Sequence, residues 1–317
     1  MTKLLILLAL PEKERIKYYD GIRARVPGVE VNIVDHNSKV DPYIGEADVL
    51  VTFGPMMAEH VLEKAANLKW IQALGSGVDG ITDRAALREG VVVTSLRGIH
   101  GPPVSEAAFM SMLALGRGLL RTVRNQIAHK WERFPATLLK GKTAAIFGVG
   151  IIAEELALKC KAFGMRVVGV SSTRNDVPGF DRMVPREQLT DAVREADYFI
   201  LLTPYSPATH GSVNAKVIAA MKPTAFLVNL ARGGVVDEDA MIDALQNKRI
   251  AGAALDVFST EPLPKESPLW DMENVLITTH QGGFNDEYAD AALPIVEHNL
   301  RKFLSGDIAG MTNLVRR

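Results

Sequence analysis

Gly141-Lys142-Thr143-Ala144-Ala145-Ile146-Phe147-Gly148-Val149-Gly150-Ile151-Ile152-Ala153, and beyond it Phe163-Gly164-Met165-Arg166-Val167-Val168-Gly169-Val170-Ser171-Ser172-Thr173-Arg174, is the stretch that decides the fold. The apolar run 143–147 predicts a buried strand, 151–163 a helix, and 166–170 a second strand. Together they form a βαβ unit with G-x-G-x-x-A at its turn. Gly148 allows the tight turn, Gly150 lets backbone approach a pyrophosphate, and Ala153 is small enough for close helix–strand packing. The first N–H groups of the helix, with its dipole, favour an anion. A glycine motif alone also fits an ordinary strand–helix turn. Its place between a strand and a helix, with a second strand following, points to a dinucleotide.

The end of the second strand bears on which dinucleotide. An NAD-binding unit usually carries Asp or Glu about 20 residues past the first glycine, for the ribose 2′-hydroxyl. Here Ser171 stands there, followed by Ser172, Thr173 and Arg174. No carboxylate repels a 2′-phosphate, and three hydroxyls and a guanidinium are available to receive one. The alternative is a plain polar turn after a strand.

A chain of 317 residues suggests two domains, and an apolar fraction of 47% supplies sizeable cores. A net charge of −1 gives no global attraction to nucleic acid or membrane. The lone cysteine, Cys160, allows no internal disulfide and fits a cytoplasmic location. It lies mid-helix and reads as a small core residue. The apolar N-terminal run 3–10 is followed at once by Pro11-Glu12-Lys13-Glu14, so it reads as a buried strand, not a signal peptide or a span.

Residues 1–100 alternate strands (4–8, 29–34, 48–52, 69–73, 91–94) with helices (12–26, 58–65, 83–88), which predicts a small parallel-sheet domain. Its conspicuous turn is Leu74-Gly75-Ser76-Gly77-Val78-Asp79-Gly80, where backbone N–H groups can face a ligand. Gly101-Pro102-Pro103 then opens a long apolar helix to about residue 122, and 123–140 reads as loop and partial helix on a surface. From 142 to 280 six strands (143–147, 166–170, 198–202, 225–229, 252–256, 275–278) alternate with helices (151–163, 185–195, 214–220, 238–247), as in a doubly wound dinucleotide domain. A last helix, 286–305, places Pro294 in a kink or near an end and returns the chain to the first domain.

Three further segments put polar groups beside glycines at strand ends: Asn229-Leu230-Ala231-Arg232-Gly233-Gly234, Asp256-Val257-Phe258-Ser259-Thr260-Glu261-Pro262-Leu263-Pro264, and Thr278-Thr279-His280-Gln281-Gly282-Gly283. Carboxyl ends of strands in a doubly wound sheet converge on one crevice. Singly, Arg232 reads as a surface cation, Glu261 as a loop charge and His280 as a surface or core histidine; together they form a coherent reaction site.

With these motifs in this order, the chain resembles the D-isomer-specific 2-hydroxyacid dehydrogenases over nearly its whole length. The resemblance implies two doubly wound α/β domains. A Rossmann cofactor domain, 101–284, is inserted into a flavodoxin-like substrate domain, 1–100 plus 285–317. Two long helices join them, with the active site in a cleft that closes on the ligand. It implies Arg232, Glu261 and His280 as the catalytic set, backbone of Ser76 and Gly77 as substrate-carboxylate anchors beside Arg232, and Asp256 near the nicotinamide carboxamide. Cofactor contacts are expected from Gly148, Gly150, Ile151, Ile152, Ser171, Ser172, Thr173, Arg174, Thr203, Pro204, Leu230, Ala231, Arg232, Asp256, His280 and Gly282. No metal is expected. A homodimer through the cofactor domain is implied as well.

The chain departs from the family's commoner pattern at Ser171, which replaces the acidic residue, and at Ile151-Ile152, where Arg-Ile is more usual. The expectation is therefore an NADP(H)-preferring reductase, with NAD(H) still usable, acting on glyoxylate or hydroxypyruvate. Loops near Phe53-Gly54-Pro55, 97–100 and Phe284 are expected to shape the pocket. The same fold also serves NAD(H)-responsive corepressors and formate or phosphite dehydrogenases.

Overall fold

The computed structural model describes residues 1–54 and 57–316; Pro55, in one of the expected pocket loops, lies outside them. The chain divides into two compact units, Met1–Ile99 with Asn285–Arg317, and His100–Phe284.

The first unit holds β1 (Lys3–Leu7), β2 (Glu30–Val34), β3 (Val49–Thr52), β4 (Trp70–Ala73) and β5 (Val92–Thr94), with helices α1 (Glu12–Arg25), α2 (Asp41–Ile44) and α3 (Glu59–Glu63). The parallel strands run β2-β1-β3-β4-β5, the flavodoxin-like order. The expected helix over 83–88 is absent. The Gly80 N–H bonds Asp83 Oδ1, and three-residue turns follow in which Arg84 N–H reaches the Ile81 carbonyl and Leu87 N–H that of Arg84.

The second unit begins with α4 (Gly101–Gly116), whose first turn contains both prolines, where a missing N–H costs nothing. The helix expected to reach residue 122 breaks at Gly118, in left-handed conformation at φ 67°, and α5 (Leu119–Ile127) starts there. Next come β6 (Thr143–Phe147), α6 (Ile151–Ala162), β7 (Arg166–Val170) and β8 (Arg182–Val184). They are followed by α7 (Leu189–Glu195), β9 (Tyr198–Leu201), α8 (Ala215–Ala219), β10 (Phe226–Asn229), α9 (Glu238–Gln246), β11 (Gly252–Leu255) and β12 (Val275–Ile277). The sheet runs β8-β7-β6-β9-β10-β11-β12, all parallel, which is the doubly wound order with one strand added. It has seven strands where the sequence predicted six. The addition is β8, three residues with no apolar run to announce it.

The chain ends in the first unit with α10 (Tyr288–Leu304) and β13 (Leu314–Arg316). Pro294 falls inside α10, so the helix tolerates one missing N–H. β13 adds to β5 antiparallel, the one departure from parallel pairing in either sheet among the described residues.

Each sheet is packed on both faces, which is why strands such as β1, β3 and β6 read as largely apolar runs. In β1, Leu4 and Ile6 join the core beneath α1 and α10, while Leu5 and Leu7 join the opposite one. In β6, Ala145 and Phe147 face one core, and Ala144 and Ile146 the other, with Cys160 of α6. Burial pushes the Cys160 thiol up to about 12, so it is an inert packing residue. Among the described residues, no helix is long and apolar enough to cross a membrane.

Candidate active site

The glycine turn after β6 is constrained by close approach as well as by curvature. Gly148 has φ 98°, and a Cβ there would lie 2.3 Å from the backbone N of Thr203. Any side chain would push the β6 and β9 strand ends apart. Gly150, the N-cap of α6, has no side-chain cap, and a Cβ on it would meet nothing within 4 Å. The opening turn of α6 thus presents N–H groups beside clear space, which fits a pyrophosphate. Ala153 is fully buried, as its packing place requires, whereas Ile151 is exposed.

After β7 the polar turn is already wired. Ser171 Oγ accepts from the N–H groups of Thr173 (3.3 Å) and Arg174 (3.1 Å), fixing the turn. Arg174 Nη1 pairs with Glu154, in the first turn of α6, and lies 3.5 Å from the Val149 carbonyl. Ser172 Oγ accepts from Arg186 Nη2 at 3.1 Å. Arg174 stands out in the sequence beside the hydroxyls; Glu154 and Arg186, distant in the chain, do not. Their closeness depends on side-chain reach across the turn and on the pairing of β8 with β7.

Past β9, Thr203 is buried, and the Pro204 carbonyl accepts from Thr209 Oγ1 at 2.8 Å. The Arg232 loop leaves β10 braced by buried Asn229, whose Oδ1 accepts the Ala231 N–H at 3.0 Å. Asn229 Nδ2 donates to the Arg232 carbonyl at 3.3 Å. Arg232 Nη1 also donates to the Ala231 carbonyl at 2.7 Å. Gly233 is required because a Cβ would sit 1.9 Å from the Phe258 carbonyl carbon. This contact sets the Arg232 loop directly on the loop that carries Glu261.

That loop and the one after β12 meet at a hydrogen bond of 2.6 Å between Glu261 Oε2 and His280 Nδ1. Glu261 Oε1 accepts the Phe258 N–H at 2.9 Å, and Ser259 N–H bonds Glu238 at 3.0 Å. Burial pushes the Glu261 carboxyl up. The bond and charge of His280, the Phe258 N–H and the Arg232 charge together outweigh it and hold the group below its usual range.

His280 has φ 51°, a left-handed conformation that costs a non-glycine residue about 1–3 kcal/mol. Asp256 sustains it. Its carbonyl accepts the His280 N–H at 2.8 Å, Oδ1 accepts Gln281 N–H at 3.0 Å, and Oδ2 accepts Gly282 N–H at 2.9 Å. Oδ1 also accepts Thr278 Oγ1 at 2.5 Å. The sequence places Asp256 at a strand end near the expected nicotinamide carboxamide; its bracing of the 278–282 loop shows only in the fold. Gly282 is a close-approach glycine, since a Cβ would lie 2.8 Å from Leu230.

Arg232, Glu261, His280 and Asp256 thus stand on adjoining loops at the carboxyl edge of one sheet. In the first unit, taken by itself, the Gly75-Ser76-Gly77 turn follows β4, anchored by Leu96 N–H on the Gly75 carbonyl at 2.9 Å. The N–H groups of Ser76 and Gly77 make no hydrogen bond to another described residue. Two successive free donors of this kind suit a carboxylate.

The family described as D-isomer specific 2-hydroxyacid dehydrogenase, NAD binding domain, matches residues 109–282. The chain is 36% identical to a D-3-phosphoglycerate dehydrogenase of Methanocaldococcus jannaschii over 84% of its own length and 51% of the relative's. It therefore spans about half of that protein. It is 31% identical to a glyoxylate reductase of Pyrococcus furiosus over 96% of its own length and 93% of the relative's. The crystal structure of a D-isomer specific 2-hydroxyacid dehydrogenase family protein from Aeromonas salmonicida superposes with a TM-score of 0.87 at 32% identity, covering 99% of this chain and 98% of that one.

Proposed function

Because the chain belongs to the D-isomer specific 2-hydroxyacid dehydrogenase family, we propose that it reduces a small 2-oxo acid to its D-2-hydroxy acid with NADPH, glyoxylate and hydroxypyruvate being the first acids to try. The observation that carries this reading is the Glu261–His280 hydrogen bond of 2.6 Å on the loop that packs against Arg232-Gly233. Similarity to a glyoxylate reductase along nearly the full length of both chains supports the choice of acids.

The cofactor's pyrophosphate fits at Gly148 and Gly150, over the uncapped start of α6 with Ile151 and Ile152. Its adenosine end fits at Ser171–Arg174, and its nicotinamide end beside Thr203, Pro204, Leu230, Ala231, Asp256 and Gly282. When bound, the reduced nicotinamide supplies the hydride. Arg232 grips the substrate carboxylate and carbonyl oxygen with its planar guanidinium, a geometry lysine does not copy. The Ser76 and Gly77 N–H groups of the first unit, taken by itself, are suited to a carboxylate. Glu261 fixes His280 through Nδ1, which leaves Nε2 to face the substrate. As negative charge grows on the carbonyl oxygen, His280 passes it the Nε2 proton. In the oxidative direction the same nitrogen takes the proton back.

The NADPH preference rests on the Ser171-Ser172-Thr173-Arg174 turn, which presents hydroxyls, and an Arg174 guanidinium paired with Glu154, where NAD-binding units usually carry an acidic residue. A homodimer through the second unit belongs to this reading. Leu119, Val123 and Ile127 are exposed at four-residue spacing on one face of α5, and Trp131 is 96% exposed just beyond. A cytoplasmic location belongs to it as well, consistent with a single, buried cysteine.

The test is loss of reduced-nicotinamide absorbance with a panel of 2-oxo acids. The proposal expects NADPH oxidation with glyoxylate or hydroxypyruvate. Tight cofactor binding without turnover on any acid would count against it and favour a cofactor-responsive binding protein.

A further inference from the structure

We propose that Arg186 is a second, pre-positioned guanidinium for the 2′-phosphate of the cofactor, an inference that rests on the NADPH reading above. The Ser171 N–H donates to the Val184 carbonyl at 3.1 Å, which brings the carboxyl ends of β7 and β8 level. Arg186 follows directly, in the short 3-10 turn Arg186–Gln188. Its Nη2 donates to Ser172 Oγ at 3.1 Å and its Nη1 to the Ala208 carbonyl at 3.1 Å. The side chain is thus fixed across the polar turn before any ligand arrives, so little further ordering is needed on binding. Its buried Nε has no hydrogen-bond partner.

The charge balance around it is the second observation. Several other cations of this unit each have a carboxylate partner: Arg166 and Arg182 share Glu195, Arg194 pairs with Asp191, Lys161 with Asp181, and Arg174 with Glu154. Arg186 forms no ion pair among the described residues. Two neutral oxygens hold it, while the guanidinium has five N–H donors and a full charge. A phosphate dianion beside Ser172 meets that deficit. Ser172 accepts from Arg186, which leaves its own hydroxyl proton for a phosphate oxygen. Arg174, which the sequence singles out, starts with a carboxylate competitor; Arg186 does not.

The experiment measures binding of adenosine 2′,5′-bisphosphate and adenosine 5′-monophosphate by calorimetry to the wild-type chain, Arg186→Gln and Arg186→Lys. Thermal unfolding confirms that each variant is folded. The wild type is expected to bind the bisphosphate more tightly. Arg186→Gln is expected to weaken it about 10- to 100-fold, the worth of one charge-assisted contact. The monophosphate should bind unchanged, and Arg186→Lys should recover part of the loss. A folded Arg186→Gln that binds the bisphosphate like the wild type, or loses both probes equally, overturns the role of Arg186 while leaving the NADPH reading in place. A wild type that binds both probes equally overturns the NADPH reading and this inference with it.

Discussion

Replacing Glu261 by Gln isolates the bond that orients the proton donor. Gln retains an oxygen to accept the Phe258 N–H, now 2.9 Å from Glu261 Oε1, so the loop keeps its anchor. What is lost is the charge on the 2.6 Å contact to His280 Nδ1. A hydrogen bond to a charged group contributes about 1.5–3 kcal/mol. Exposure of 33% for the His280 side chain and 25% for that of Glu261 argues for the lower end. About 1.5 kcal/mol corresponds to a roughly tenfold fall in kcat. The assay is steady-state kinetics with a 2-oxo acid, alongside NADPH affinity by fluorescence titration. The expected result is a roughly tenfold lower kcat with cofactor affinity unchanged. The same bond predicts a pH effect on stability. The Glu261 carboxyl is held below its usual range in the folded chain, so the stabilisation is complete above about pH 4.3 and is lost as pH falls through the depressed value. Unfolding midpoints of wild type and Glu261→Gln should therefore differ near neutrality and converge in acid. A kcat within twofold of wild type would refute the orienting role, as would midpoint curves that run parallel down to about pH 2.

His280→Ala should lower turnover by about 10²–10⁴-fold with cofactor still bound, the usual worth of a positioned acid; near-normal turnover would remove His280 from that role. Gly233→Ala drives a Cβ to 1.9 Å from the Phe258 carbonyl carbon and should cost about 1–3 kcal/mol or more. Denaturant unfolding followed by circular dichroism measures that cost, and an unchanged midpoint would contradict the contact. Glu154→Gln releases Arg174 from a half-exposed pair and should tighten NADPH binding about two- to fivefold, because such pairs hold weakly. No change, or weaker binding, would show that the pair does not compete with the cofactor.

What the sequence reveals here follows from what is local in it. The parallel strands are legible because both faces are buried, so runs such as 144–147 and 198–201 stay apolar throughout. The glycine turn and the polar residues after β10, β11 and β12 are legible because strand, glycine and polar side chain are neighbours in the chain. Less legible is whatever depends on pairing between distant segments. β8 is three residues long and stands out only once it pairs with β7, and with it comes Arg186 on Ser172. Asp256 reads as an acid at a strand end, but its hold on the 280–282 loop needs the β11–β12 register. The break at Gly118 is hidden inside a stretch that is apolar on both sides; Phe134, whose ring a Cβ on Gly118 would strike at 2.6 Å, comes from a segment without regular structure.

The central claim, a 2-oxo acid reductase that prefers NADPH, is tested most directly by kcat/KM for NADPH and for NADH, measured in parallel with glyoxylate and hydroxypyruvate. One or two charge-assisted contacts to the 2′-phosphate predict a preference for NADPH of roughly 10-fold to a few hundred-fold. Equal or better efficiency with NADH would contradict the reading of the Ser171–Arg174 turn, and absence of turnover with either cofactor on both acids would contradict the proposed reaction.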